Sequence, residues 1–307
     1  MTFEIHHDEM KRIASRGLAP ERLGEGYGGP QGPAEGPVWI REKGHLLFSD
    51  IHGNRRMRWS PKEGVTVDKE GTANGNGQTR DQLGRLVVCH HFSRCVDREE
   101  ADGSITIIAN RYHGLKLNRP NDVVVKSDGA IYFSDPPPRP PLTPWDHPTE
   151  LDIAGVYRVA PDLSRINRVV SDLINPNGLC FSPDEKILYV NDSNMHRKLI
   201  MAYDVEPNGM PDLGSARLFC DMKTDKRRGA PDGMKCDVEG NVYCTGPGGI
   251  WVLAPDGRHI GTILSDAIPI NMNWGDDDWS TLYFAGLHTI NRIKLGIPGI
   301  PVPRGKV

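Results

Sequence analysis

The chain has 307 residues, 37% of them hydrophobic, with a formal net charge of −3 from 37 basic and 40 acidic side chains. That balance leaves no electrostatic footprint for nucleic acid and no polybasic patch for a membrane surface. No stretch approaches the ~18 apolar residues of a spanning helix, and the charged start M-T-F-E-I-H-H-D-E-M lacks an apolar leader core, so a cytoplasmic protein is expected.

Residues 1–32 read as an irregular N-terminal extension with a short helical turn near Asp8–Ser15. One of its segments is expected to pair with the last structural unit and close a ring, because an open ring exposes two sheet edges. The chain then repeats a pattern. Glu35-Gly36-Pro37 leads into Val38–Ile40, a turn at Lys43-Gly44, the strand His45–Ser49 and Asp50; with Asn54–Trp59 this makes a first unit over 33–72. A second begins near Asn74 with Leu86–Cys89 as a strand and Ala101-Asp102-Gly103-Ser104 as a hairpin turn before Ile105–Ala109. In the third (118–172), Asn121-Asp122 precedes Val123–Val125, Ser127-Asp128-Gly129 turns the chain, and Ala130–Ser134 ends on Asp135. The run P-P-P-R-P-P-L-T-P-W-D-H-P at 136–148 cannot form a strand, because prolines lack ladder donors; it is read as a loop covering a pocket. The fourth unit (175–222) has Asn177-Gly178 before Leu179–Phe181, then Ile187–Val190 ending on Asn191-Asp192. The fifth (231–265) has Asp232-Gly233 before Met234–Cys236. The sixth (268–300) has strands at Thr281–Phe284 and Thr289–Lys294.

Degenerate repeats at intervals of roughly 40 to 55 residues, each holding several short strands, are the signature of a β-propeller. The expected fold is all-β: one domain over 1–307, a six-bladed β-propeller with four-stranded antiparallel blades around a central channel. The 34 glycines and 25 prolines fit its many tight turns. Cys89, Cys95, Cys180, Cys220, Cys236 and Cys244 contain no C-x-x-C pair, so they are expected as unpaired thiols on buried strands.

Glu35, Asn121, Asn177 and Asp232 stand at equivalent turn-to-strand positions, and a radial fold would bring those positions together around the channel. Such residues also start strands simply because their side chains satisfy local backbone groups. Against that reading, the Gly or Asp that follows each one recurs at the same place. Two carboxylates and two amide oxygens form a hard ligand set suited to calcium, magnesium or manganese rather than copper or thiolate-bound zinc. His90 and His91 are strand neighbours and must point to opposite faces. His6-His7 and the basic run Lys226–Arg228 carry no function in this reading. The sequon Asn191-Asp192-Ser193 is discounted because it lies at a strand end beside the site. No G-x-S-x-G elbow occurs, so covalent serine chemistry has no candidate.

These segments carry a resemblance. Glu35-Gly36-Pro37, G-N-G-Q-T-R-D-Q-L-G-R-L at 75–86, R-P-N-D-V-V-V-K-S-D-G at 119–129, N-G-L-C-F-S-P-D at 177–184, V-N-D-S at 190–193 and P-D-G-M at 231–234 resemble the SMP-30/gluconolactonase (regucalcin-like) family, and its bacterial and fungal sugar-lactonase branch in particular. The resemblance implies a six-bladed propeller with one divalent metal ion in the channel, calcium before magnesium, manganese, zinc or iron(II), and hydrolysis of small sugar-type lactones. It implies Glu35, Asn177 and Asp232 as metal ligands, Asn121 facing metal and substrate, and Arg119 binding sugar hydroxyls. Asp192, with Asp135, falls just beneath the ligands as support. Departures from the family's pattern at C-H-H-F-S (89–93) and N-M-N-W-G-D-D-D (271–278) make His91, Phe92, Asn273 and Trp274 the expected pocket wall.

Lactone hydrolysis needs a stabilised oxyanion and an activated water, and Asp232 is the carboxylate assigned to the water. A small-molecule lactone is then the expected partner, with neither nucleic acid nor membrane, in a monomer or homodimer. Three other readings stay open: hydrolysis of another ester, non-sugar lactone or phosphotriester at the same centre; a non-enzymatic calcium-binding or scaffold propeller; and isomerisation at a polarised carbonyl.

Overall fold

The computed structural model describes residues 2–29, 32–138 and 148–304. Most of the proline-rich loop, residues 139–147, therefore lies outside the described residues. The rest forms six antiparallel sheets in a ring. The axial polar residue of each blade lies within two residues of the start of its inner strand, which runs away from it down the channel wall. The inner strands are Ala34–Ile40, Gly75–Arg80, Val123–Val125, Pro176–Phe181, Met234–Cys236 and Pro269–Gly275. Each is followed outward by a second and a third strand, and in blades 1 to 5 by a fourth from the same stretch of chain.

The turns form for local reasons. Asp102, Asp128 and Asp237 accept backbone N–H bonds two residues ahead, at 2.9 Å in each case. Gly103, Gly129 and Gly240 in the same turns take φ of 84°, 90° and 87°, a region open to glycine at little cost. Blade 4 puts Glu185 (φ 58°) there instead, and its carboxylate takes the amide of Ser127 at 2.8 Å and lies 3.1 Å from Lys126 Nζ and 3.3 Å from Arg304. One αL residue thus ties the turns of blades 3 and 4 to the end of the chain.

The ring is closed by the N-terminal extension, as expected, and in a way that uses it twice. Glu21–Glu25 pairs with Thr289–Lys294 as the fourth strand of blade 6. Phe3–Ile5 pairs with His259–Leu264 as a fifth strand on blade 5, which the sequence pattern did not reveal. The anticipated helical turn is present as Glu9–Ile13 followed by Ala14–Arg16. At the other end the C-terminal segment crosses the floor of the ring: Gly299 bridges Asp237, Val302 packs on the blade 1–2 core, and Arg304 reaches the carbonyls of Ser182 and Pro183 at 3.1 and 3.3 Å.

The core is split into layers between blades, the largest around Trp39, Phe48, Trp59, Trp274 and Tyr283. All six cysteines are buried and unpaired. Among the described residues no helix is long and apolar enough to cross a membrane.

Candidate metal centre and active site

The inner strands approach one another so closely where they begin that side chains are excluded. A Cβ on Gly36 would lie 2.3 Å from Asn76 O, one on Gly77 2.5 Å from Asn121 O, one on Gly178 1.9 Å from Asp232 O, and one on Gly233 2.1 Å from Asn271 Oδ1. In blades 1, 2, 4 and 5 the recurring glycine is therefore a steric requirement: it lets the blade's axial polar residue stand beside that of the next. With the Asn271–Glu35 hydrogen bond, these contacts link Asn177, Asp232, Asn271, Glu35, Asn76 and Asn121 in that order, one residue per blade. The sequence pattern exposed four of the six. Asn76 carried the same polar-Gly signal within G-N-G-Q and could have been found. Asn271 is followed by Met272 and left no such signal.

The members of this ring are held from behind. Asp232 N donates to Thr245 Oγ1 at 2.9 Å, and its carbonyl accepts from Asn191 Nδ2. Asn121 N donates to Ser134 O at 2.8 Å, and Ser49 Oγ to Asn76 O at 2.8 Å. Glu35 Oε2 accepts from Gly36 N at 2.6 Å and from Asn271 Nδ2 at 2.8 Å. Burial, then the carboxylates of Asp232 and Asp122, push the Glu35 carboxyl well above its ordinary value. Asp122 is a third acid of the centre, itself buried, that the sequence reading missed. Its own carboxyl is raised by burial, which the charge of Lys235 partly offsets. The Oδ1 atoms of Asn76, Asn121 and Asn177 are buried without a hydrogen-bond partner among the described residues. Repelling acids and orphaned carbonyl oxygens are costly in a dry site, and together they fit a hard cation. Among the described residues no three His, Cys, Asp or Glu side chains gather as a metal cluster; this centre draws half its donors from amides.

Asp135 and Asp192 act one layer back, through the loops. Asp135 accepts from Asn118 N (2.8 Å) and Arg119 N (2.7 Å), and burial still raises its carboxyl to about 7. Asp192 accepts from Ile174 N (2.9 Å) and Asn175 N (3.1 Å), just ahead of Asn177. Asp50 does the same for Gly28 N at 2.7 Å in blade 1. The two histidines point apart: His90 turns outward to Thr72 O (2.7 Å) and Asp97 (2.9 Å). His91 turns to the ring, where Asn76 Nδ2 donates to its Nε2 at 2.7 Å, leaving the ring proton on Nδ1. Phe92 is exposed in the same turn.

Trp274 does not line the pocket. It is buried, donates from Nε1 to Cys236 O at 3.1 Å, and packs on Gly299 of the C-terminal segment, at the far end of its strand from the ring. Asn273 is likewise buried, with Oδ1 accepting from Trp274 N at 2.9 Å. The residue of this strand that meets Glu35 is Asn271. The expectation for Asn273 and Trp274 rested on the departure from the family's pattern at 271–278, and a departure in sequence does not say which of its residues faces the ligands.

Fold and centre define a class: a six-bladed propeller with an oxygen-rich ring at one end of its channel. Residues 33–288 match the family described as SMP-30/Gluconolactonase/LRE-like region, and the chain belongs to it. A gluconolactonase from Zymomonas mobilis is 31% identical over 280 residues, 85% of this chain and 78% of the relative. The structure of a gluconolactonase from Xanthomonas campestris is 31% identical with a TM-score of 0.84, covering 96% of this chain and 95% of that one. A calcium-binding regucalcin from Agrobacterium tumefaciens shares the fold, with a TM-score of 0.74 at 21% identity over 94% and 98% of the two chains. These relationships support a hydrolase of the gluconolactonase/SMP-30 type.

Proposed function

We propose that this protein is a divalent-metal-dependent lactonase acting on a small hydroxylated lactone of the aldonolactone type. The observation that carries the reading is the ring itself. Glu35 is buried close enough to the half-buried Asp232 to be repelled by it, while the Oδ1 atoms of Asn121 and Asn177 have no hydrogen-bond donor among the described residues. Glu35, Asn177 and Asp232 would hold the ion, with Asn121 facing it, and the oxygen-only donors favour calcium. Because burial and Asp232 push the Glu35 carboxyl up, protons compete with the cation, and its affinity falls as the pH falls.

Such an ion supplies Lewis acidity, polarising an ester carbonyl and acidifying water. The chain's own residues do the rest. Asp232 accepts the proton of the attacking water. The Arg119 guanidinium offers a forked pair of donors to ring hydroxyls, which suits a polyol better than an apolar acyl chain. Asn121 orients the substrate oxygens, and positioning of this kind converts binding into rate. The C–O bond of the lactone breaks, the alkoxide takes a proton, and a hydroxy acid leaves.

A pH-indicator screen of aldonolactones, aliphatic lactones and aryl esters, with several metals supplied in turn and spontaneous hydrolysis subtracted, tests the proposal. Hydroxylated lactones should turn over only with metal. Asp232→Asn should lose at least ~100-fold in kcat, and Glu35→Gln should bind metal at least ~10-fold more weakly. Absence of lactone hydrolysis with any metal, or full activity in Asp232→Asn, overturns it.

A further inference from the structure

Arg94 occupies the turn between the second and third strands of blade 2, two residues after Phe92. It adopts φ 56° and is 7% exposed. A left-handed conformation is unfavourable for a non-glycine residue, so an arginine kept there points to a task for its side chain. That task is visible. Arg94 Nε donates to Leu117 O at 2.6 Å, Nη2 to Lys116 O at 3.3 Å and Nη1 to Pro148 O at 3.1 Å. The two carbonyls at 116 and 117 belong to the same short loop whose next two amides, of Asn118 and Arg119, are taken by Asp135. The loop that delivers Arg119 is therefore gripped from both sides, by a cation on its carbonyls and an anion on its amides.

The device recurs, which separates it from a chance contact. Asn54 (φ 52°) in the matching turn of blade 1 accepts from Asn74 N at 3.0 Å, two residues ahead of Asn76. Lys198 (φ 45°) in that of blade 4 reaches Gly229 O at 3.1 Å, three residues ahead of Asp232. In each case a left-handed turn residue holds the loop that feeds the next blade's axial residue. Arg94 is the most elaborate version, and the loop it holds carries the arginine assigned to substrate hydroxyls.

We infer that Arg94 is a positioning residue for substrate selectivity: with Asp135 it clamps residues 116–119 so that Arg119 is presented in one orientation to a hydroxylated substrate. The inference rests on the lactonase reading and on Arg119 as the hydroxyl-binding group. Planarity matters, since a guanidinium can satisfy three divergent carbonyls from a fixed fork and an ammonium on a flexible stem cannot.

The test compares wild type, Arg94→Ala, Arg94→Lys, Arg119→Ala and the Arg94→Ala/Arg119→Ala double variant on a hydroxylated and an unhydroxylated lactone, with calcium affinity and hydrogen exchange at residues 116–119 measured on each. Arg94→Ala should raise KM for the hydroxylated lactone about tenfold while kcat and the unhydroxylated KM change less than about twofold. Arg94→Lys should recover only part of this, and in the Arg119→Ala background the Arg94 change should add less than about twofold, since the two act as one unit. Amides 118 and 119 should exchange faster in Arg94→Ala with calcium affinity unchanged. Equal losses on both lactones, full additivity with Arg119→Ala, or unchanged exchange overturns the clamp. If Arg94→Ala does not fold, the same readouts on Arg94→Lys decide it. Should Arg119→Ala prove unselective while exchange at 118 and 119 still rises in Arg94→Ala, the role of Arg119 fails and the selectivity claim falls with it, leaving only a loop brace.

Discussion

Gly178 shows how little room the centre leaves. A methyl group there would lie 1.9 Å from the carbonyl oxygen of Asp232, which is backbone and cannot rotate away. Gly178→Ala must push the inner strands of blades 4 and 5 apart, and both carry proposed ligands. Overpacking of this kind costs about 1–3 kcal/mol. The expected outcome is a denaturation midpoint lowered accordingly and calcium affinity reduced at least ~10-fold, read by calorimetry. Unchanged affinity would mean that Asn177 and Asp232 do not share an ion. The same residue-level reasoning separates Asn271 from Asn273: both are buried asparagines on one strand, but only the first reaches Glu35, at 2.8 Å.

At the scale of elements, blade 5 is unusual in carrying the added strand Phe3–Ile5, and a histidine lies at that junction. His259 stacks on Trp251 with centroids 3.8 Å apart, meets His6 edge-on at 4.7 Å, and lies 3.0 Å from Thr262 Oγ1. Burial, then the neighbouring His6, lowers it from 6.5 to about 4. The unfolded chain therefore takes up its proton first. The contribution of neutral His259 to stability is complete above about 6.5 and is lost as the pH falls from there toward 4. Denaturation midpoints should decline across that window, and His259→Gln should flatten the decline. A wild-type slope retained in His259→Gln would assign the acid sensitivity to other groups.

For the molecule as a whole, the proposed ion would tie four blades directly to one another: Glu35 from blade 1, Asn121 from blade 3, Asn177 from blade 4 and Asp232 from blade 5. The floor is already secured by the C-terminal segment, through Gly299 on Asp237 and Arg304 on the blade 4 turn. The top of the ring has two repelling acids where a bond should be. A ligand that binds only the folded ring stabilises it by mass action, about 2.7 kcal/mol at a hundredfold excess over Kd. Chelator should therefore lower Tm and added calcium restore it, with the increment absent in Glu35→Gln. An identical Tm with chelator and with saturating calcium would refute a folded-state ion site.

What the sequence by itself determined is whatever is encoded locally and repeated. Alternating apolar strands and Asx-Gly turns spelled out the blades, and a polar residue followed by Gly or Asp marked four of the six axial residues, three of them with the glycine that the close approach of neighbouring strands requires. The same local signals made a ring-closing strand predictable, though not which N-terminal segment would supply it. Tertiary structure alone decided the rest. Asn271 joined the ring without a following glycine, Asp122 became a third acid through burial, and Phe3–Ile5 found an edge on blade 5 with no pattern of its own. Trp274, expected at the pocket from a departure in the family's pattern, went to the floor, where its indole is buried and donates to Cys236 O at the end of the strand away from the ring. Arg94 is the clearest case: its three acceptors lie 22, 23 and 54 residues away, and only the closing of blade 2 against blade 3 brings them within reach of one guanidinium.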